Sequence, residues 1–180
     1  MTEYYTMTIA GLERKLPICA LNDKLSIAGF VIFGDVELTI ACAKELVKRI
    51  PEHDVIITAE SKGIPLAYEM ARQMNETYLL ARKGLKAYMV DPVKVEVNSI
   101  TTAKTQTLYI DEKDAEAMRG KRVVIIDDVI STGESLKALE SLVESVGGNI
   151  VGKMAILAEG DAQDRDDIIY LEKLPLFFHE

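Results

Sequence analysis

The 180-residue sequence contains only two cysteines and two histidines, and that scarcity removes several chemistries at once. Cys19 and Cys42 stand in apolar surroundings without metal-ligand spacing. Neither a disulfide framework nor a zinc site is expected, and a reducing cytoplasm is the expected compartment. His53 falls in a loop and His179 at the C-terminus, neither with a Ser, Cys or acid in a triad-like order, so hydrolysis of that kind is not expected. No apolar run approaches the roughly 18 residues of a membrane helix, so no membrane association is expected. Met1 to Ala10 lacks the basic-then-apolar order of a secretory signal. An excess of cations is missing too. With 21 Lys and Arg against 29 Asp and Glu the net charge is −8, which argues against a nucleic-acid partner. A small phosphorylated ligand, held by a few local groups, is compatible with it.

What is present is the material of a folded domain: 48% hydrophobic and 28% charged residues, at a length that suits one unit spanning residues 1–180. Val36 to Ile50 sets Val36, Ile40, Ala43, Leu46, Val47 and Ile50 on one helical stripe, with Asp35 as N-cap and Pro51 as stop. Val55-Ile56-Ile57 reads as a short buried strand, and Gly63 to Met74 as a helix that tolerates Pro65 in its first turn. Thr77 to Ala81 is a further strand. Val123-Val124-Ile125-Ile126 is a continuous β-branched run, as expected of a strand covered on both faces. Gly133 to Val146 is a helix ended by Gly147-Gly148, Ile150 to Ala158 a strand, and Ile168 to Leu171 a last edge strand.

Strands alternating with helices predict an α/β protein, a parallel sheet flanked by helices in three layers. Two parts fall outside that rhythm. One is the N-terminal arm, to about residue 35. The other is Lys86 to Arg119, too long for a bare connection. In it Val93 to Val97 and Thr107 to Ile110 alternate as two strands around a polar, Thr-rich stretch, which predicts a β-ribbon or lid that is mobile without ligand.

The stretch with the most chemistry is Asp127-Asp128-Val129-Ile130-Ser131-Thr132-Gly133-Glu134-Ser135, directly after the β-branched run. Carboxyl ends of parallel strands are where α/β proteins place ligands, and a helix N-terminus offers unpaired N–H groups and a positive dipole end. Ser131, Thr132 and Ser135 add hydroxyls, and Gly133 permits close approach. Together they form a cradle for a phosphate monoester. The two aspartates would repel a phosphate, so they suit sugar hydroxyls or a cation, at an exposed strand end. The bland alternative is a helix cap beside two solvated acids. Glu60-Ser61-Lys62-Gly63 repeats the strand-turn-helix arrangement with a cation added, and Arg82-Lys83-Gly84-Leu85-Lys86 gathers three cations after the next strand. Alone, each is also compatible with an ordinary βα turn or a solvated charge run. Asp161 to Asp167, four aspartates around Arg165, lacks the spacing of a calcium loop and is expected to be a solvated loop.

The segment Val123 to Ser135 resembles the ribose-phosphate signature of the type I phosphoribosyltransferases. Glu60 to Gly63 and Arg82 to Lys86 resemble the Glu-Ser-Arg/Lys-Gly and Arg-Lys-x-x-Lys runs of the adenine phosphoribosyltransferases. Ile27 to Asp35 and Leu171 to Phe177 are similar to the first and last segments of those enzymes. The resemblance implies that fold, with an N-terminal hood over residues 1–35 and a flexible lid over 86–119. It implies transfer of phosphoribosyl from 5-phosphoribosyl 1-diphosphate to a purine base, adenine first, in a cytoplasmic homodimer.

Under that resemblance Asp127 and Asp128 act on the ribose. Ser131, Thr132, Gly133, Glu134 and Ser135 take the 5′-phosphate. Glu60, Ser61, Lys62, Gly63, Arg82, Lys83 and Lys86 serve the diphosphate. Phe30 and Phe33 are read either as core aromatics or as a stacking wall for the planar base. Mg²⁺ is the implied cofactor, held mainly by diphosphate, ribose and water. Three departures stand out: Glu134 where a second glycine is common, no arginine in the hood segment, and a lid tip without the usual Glu, Thr102 standing in its place. Alternatives are an enzyme for xanthine, hypoxanthine or guanine, or a regulator that binds the donor without transfer. Regulators of this kind usually add a DNA-binding domain or a basic face.

Overall fold

The computed structural model describes residues 2–98 and 105–179. The chain opens with three antiparallel strands, β1 (Tyr4–Ile9), β2 (Leu12–Asn22) and β3 (Leu25–Ala28), followed by helix α1 (Val36–Val47). Then come β4 (Val55–Ala59), α2 (Ile64–Met74) and β5 (Tyr78–Ala81). A hairpin, β6 (Val93–Asn98) and β7 (Thr105–Ile110), leads into α3 (Glu112–Met118). The rest is β8 (Arg122–Ile130), α4 (Glu134–Ser145), β9 (Asn149–Glu159), a 3-10 turn over Gly160–Asp164, β10 (Ile169–Leu174) and β11 (Leu176–Phe178).

Five of these strands form one parallel sheet in the order β10-β9-β8-β4-β5. β8 lies at its centre, and the β-branched run shows why it carries no polar alternation. Val123 and Ile125 enter one core, with α3, α4 and the base of the hairpin, while Val124 and Ile126 enter the other, with α1, α2 and the N-terminal strands. The three layers follow from that double burial. On α4 the stripe Leu136, Leu139, Leu142, Val143 and Val146 is buried as its spacing predicts. α1 is capped by Asp35, whose carboxylate accepts from Leu38 N–H and also pairs with Arg14 of β2 at 2.7 Å. That pair ties the N-terminal sheet to the helix. The last strand, β11, returns to β3 and completes a four-stranded sheet, β1-β2-β3-β11.

The order of the parallel sheet locates the ligand cleft. The chain runs outward from β4 to β5, then returns to the other side of β4 and proceeds through β8, β9 and β10. The turns after β4 and β8 therefore diverge from adjacent strands, which opens a crevice at their carboxyl ends.

The hairpin stands where the sequence predicts a ribbon, but its base is firmly packed. Leu108, Ile110, Ala115 and Met118 are buried, and Tyr109 exchanges two backbone hydrogen bonds of 2.8 Å with Arg82. Thr102 and the rest of the tip, 99–104, lie outside the described residues. Amide exchange in the free protein is therefore expected to be slow at Leu108, Ile110 and throughout α3, and donor binding to add protection only toward Val97 and Gln106. Fast exchange at Ile110 without ligand would show that all of 86–119 opens as one lid.

Candidate active site

Two neighbouring cavities occupy the crevice, and Asp127 belongs to both. The larger, about 190 Å³, is walled by Glu60, Ser61 and Lys62 after β4, Lys83 after β5, Asp127, Asp128 and Ser135 along β8 and α4, and Gln106 and Leu108 of β7. The smaller, about 90 Å³, is formed by Asp127, Val129, Ile130 and the turn Ser131, Thr132, Gly133, Ser135 at the start of α4. That space equals about three water molecules of liquid volume, the scale of a single phosphate group. The N–H groups that open α4, ahead of the Lys137 N–H that donates to the Gly133 carbonyl at 2.8 Å, lie at its positive dipole end, and that of Glu134 donates to Thr132 Oγ1 at 3.5 Å. The turn reaches this geometry because Gly133 sits at φ +79°, a left-handed conformation that costs a residue with a Cβ about 1 kcal/mol or more.

The acid pair lies within β8, which runs on to Ile130, and not beyond the strand's end. Asp128 is 3% exposed, against the expectation of an exposed strand end. Asp127 is half-buried and opens onto both cavities, whereas Asp128, on the strand's other face, is covered by protein. Lys62 Nζ stands 3.4 Å from Asp128 Oδ2, an oxygen with no hydrogen-bond partner among the described residues. Asp127 Oδ1 accepts from Asp128 N–H at 2.8 Å. Burial, then the charge of Asp128 next door, pushes the Asp127 carboxyl up to about 7.

The sign of that effect gives a test. The folded state holds the Asp127 proton more tightly than the unfolded chain, so the group's contribution to stability is complete below about pH 4 and is lost as pH rises toward 7. Stability measured by denaturant titration is expected to fall between pH 5 and pH 8 in the wild type and to fall less in Asp127→Asn. Parallel profiles would show that Asp127 is already ionised throughout that range.

The cations do not all face the cavity. Lys62 and Lys83 line it. Arg82 is drawn aside: its Nε lies 2.6 Å from Glu60 Oε1, and its guanidinium carbon lies 5.9 Å from the Tyr88 ring centre. Glu60 also accepts the Lys83 N–H at 2.8 Å, so this acid braces the turn after β5 against the turn after β4. Lys86 is outside both cavities, in a turn closed by Met89 N–H on its carbonyl. Gly63 is required by packing: a Cβ there would overlap Thr58 Oγ1 and lie 3.4 Å from Asp127 Oδ1. Phe30 is a core residue, 5% exposed, and Phe33 is 51% exposed; neither lines the two cavities.

Two neighbours of the site escape a linear reading. Gln106 shares its face of β7 with Leu108 and Ile110, and the same alternation that buries those two turns the glutamine into the cavity. Arg165 packs on Gly133, since a Cβ on that glycine would lie 3.0 Å from Nη1. For Gln106 the alternation was a usable signal; for Arg165 there was none, because its loop is distant in sequence. Among the described residues no group of three or more His, Cys, Asp or Glu converges as a metal cluster.

The family described as "Phosphoribosyl transferase domain" matches residues 36–174, which leaves out β1 to β3 and β11. A xanthine phosphoribosyltransferase of Exiguobacterium is 30% identical over 138 residues, 75% of this chain and 70% of that protein. The "Probable purine biosynthesis transcriptional regulator PurR" of Streptococcus pneumoniae is 24% identical over 175 residues, 90% of this chain but 62% of the regulator. Among solved structures, the adenine phosphoribosyltransferase of Thermoanaerobacter pseudethanolicus superposes with a TM-score of 0.66 at 25% identity, covering 79% of this chain and 84% of that one.

Proposed function

The chain belongs to the phosphoribosyl transferase family, and from that premise we propose that it transfers phosphoribosyl from 5-phosphoribosyl 1-diphosphate to a purine base, adenine first. The observation that carries this reading is the pair of cavities sharing Asp127: a phosphate-sized cradle on one side and a lysine-lined crevice on the other. A donor with a phosphate at each end and a sugar between them fits that spacing of chemistry.

In this reading the 5′-phosphate seats on the N–H groups and hydroxyls of 131–135, which fixes the sugar's orientation. Ser61, Lys62 and Lys83 take the diphosphate. A ring nitrogen of the base forms its bond to C1 as the C1–O bond breaks. The electron pair leaves with the diphosphate, and the nitrogen's proton passes to solvent. Asp127 and Asp128 face the ribose, where negative charge favours the cationic sugar of the transition state. The carboxylates also fit Mg²⁺, which favours one or two carboxylates plus substrate phosphates over a cage of protein ligands. Asp128 Oδ2, buried and short of a hydrogen bond, is an available ligand. Bound there, Mg²⁺ would neutralise diphosphate charge. Lys62 occupies that flank of Asp128, so donor binding is expected to draw Lys62 toward the diphosphate.

The test is incubation of the protein with donor, Mg²⁺ and adenine, hypoxanthine, guanine or xanthine in turn, with chromatography for the nucleoside monophosphate. AMP formed fastest supports the adenine assignment; another monophosphate reassigns the base. A second reading is a donor-binding regulator without transfer, favoured by the match to PurR over 90% of the chain. Tight donor binding without product from any base would establish that reading.

A further inference from the structure

The turn of the 5′-phosphate cradle, Ser131 to Ser135, contains no lysine or arginine of its own, so a cation for a bound dianion has to come from another segment. The nearest cation in sequence, Lys137, is exposed on the helix. Among the described residues Arg165 lines neither cavity, but it reaches Gly133 of the turn from the loop between the 3-10 turn and β10.

Several contacts fix its place. Asp167 accepts from Arg165 Nε at 2.8 Å and from Nη2 at 2.7 Å, a two-toothed grip that sets the plane of the guanidinium. The third nitrogen, Nη1, is the one that lies against Gly133. Asp167 is itself anchored by Lys153 of β9 at 2.9 Å, and Lys153 also pairs with Glu140 of α4. The chain of charges therefore runs from the phosphate helix through the sheet and back to the phosphate turn. Gly133 makes the approach possible, because a side chain at that position would press on the guanidinium.

We propose that Arg165 is a charge partner of the 5′-phosphate cradle, clamped over Gly133 by Asp167 so that its guanidinium attracts the phosphate end of the donor. This rests on the phosphoribosyl-transfer reading and adds to it a residue from a loop that the sequence assigns to solvent. Arg165 is a positioning residue. It acts on the phosphate end and not on the reacting bond.

The probe is ribose 5-phosphate, titrated calorimetrically into the intact protein, with ribose as the uncharged control. Arg165→Gln is expected to raise its Kd about tenfold, with a shallower dependence on salt, because one fewer cation is engaged. Arg165→Lys should recover most of the affinity. Asp167→Asn, which keeps the arginine but loosens it, should fall between. In turnover, Arg165→Gln should raise the donor KM with the KM for the base unchanged. Melting temperatures within a few degrees of wild type are expected for all three variants. Unchanged affinity in a folded Arg165→Gln protein would overturn the proposal. So would Arg165→Lys failing as fully as Arg165→Gln, because the role would then be packing on Gly133 and not charge. If the wild type binds no ribose 5-phosphate, the cradle itself is misassigned and the function reading falls with it. If the wild type binds and Arg165→Gln binds equally, only the role of Arg165 falls.

Discussion

Replacing Asp127 and Asp128 together by asparagine is expected to lower kcat by about 10³-fold or more, since removing one electrostatic stabiliser of a transition state costs roughly 10²–10³. The two side chains are nearly isosteric with their replacements, so packing in the crevice is preserved. What disappears is negative charge beside the ribose. Because Asp128 is buried and pairs with Lys62, the double variant leaves that lysine without its partner, and a modest loss of stability should accompany the loss of turnover. The removal of the strained Asp127 ionisation works in the opposite direction above neutral pH. Steady-state kinetics at saturating donor and base, with a melting curve on the same sample, separates chemistry from folding. A well-folded double variant with wild-type kcat/KM would remove both aspartates from the mechanism.

The second large effect is expected at Gly63. Gly63→Val should destabilise the fold by about 1–3 kcal/mol, the usual cost of overpacking, and weaken donor binding by more than tenfold. The new Cβ collides with Thr58 Oγ1 of a fully buried β4 residue, where a rotated side chain would meet the packed core, so the turn Glu60 to Gly63 is expected to shift. That turn carries Ser61 and Lys62 into the cavity and, through Glu60, braces Arg82 and the Lys83 N–H. The diphosphate end should suffer most. Binding of inorganic diphosphate is the direct readout, and ribose 5-phosphate the contrast, since its cradle lies across Asp127 on the other strand. Equal losses for both probes would mean a general distortion of the crevice; no loss for either would mean that the turn accommodates the side chain.

Much of the architecture could be read from the sequence, because it depends on local regularities. The four β-branched residues of Val123 to Ile126 required burial on two faces, and the stripe from Leu136 to Val146 required a helix with one apolar side. The turn that opens α4, to which we assign the phosphate, was legible for the same reason. Hydroxyls, a glycine and a helix start lie within five consecutive residues, and their chemistry needs no distant partner. Such features follow from the strand period of two, the helix period of 3.6 and the conformational freedom of glycine at Gly133.

Tertiary structure decided whatever depends on which side chain meets which across space. The reversal of strand order between β4 and β8 brings Lys62 to Asp128 across more than sixty residues, and no local pattern encodes that reversal. Arg82, grouped with Lys83 by adjacency, is drawn to Glu60 because an unpaired acid and an arginine at neighbouring strand ends neutralise each other at close range. Phe30 and Phe33, equivalent as aromatics in one segment, part ways where the chain crosses from core to surface. Arg165, in a loop whose acidic composition implied solvent, is held over Gly133 by Asp167. Periodicity states that a residue faces a core or a ligand; only the distances in the folded chain select its partner, because charge pairing and packing depend on proximity in space and not along the sequence.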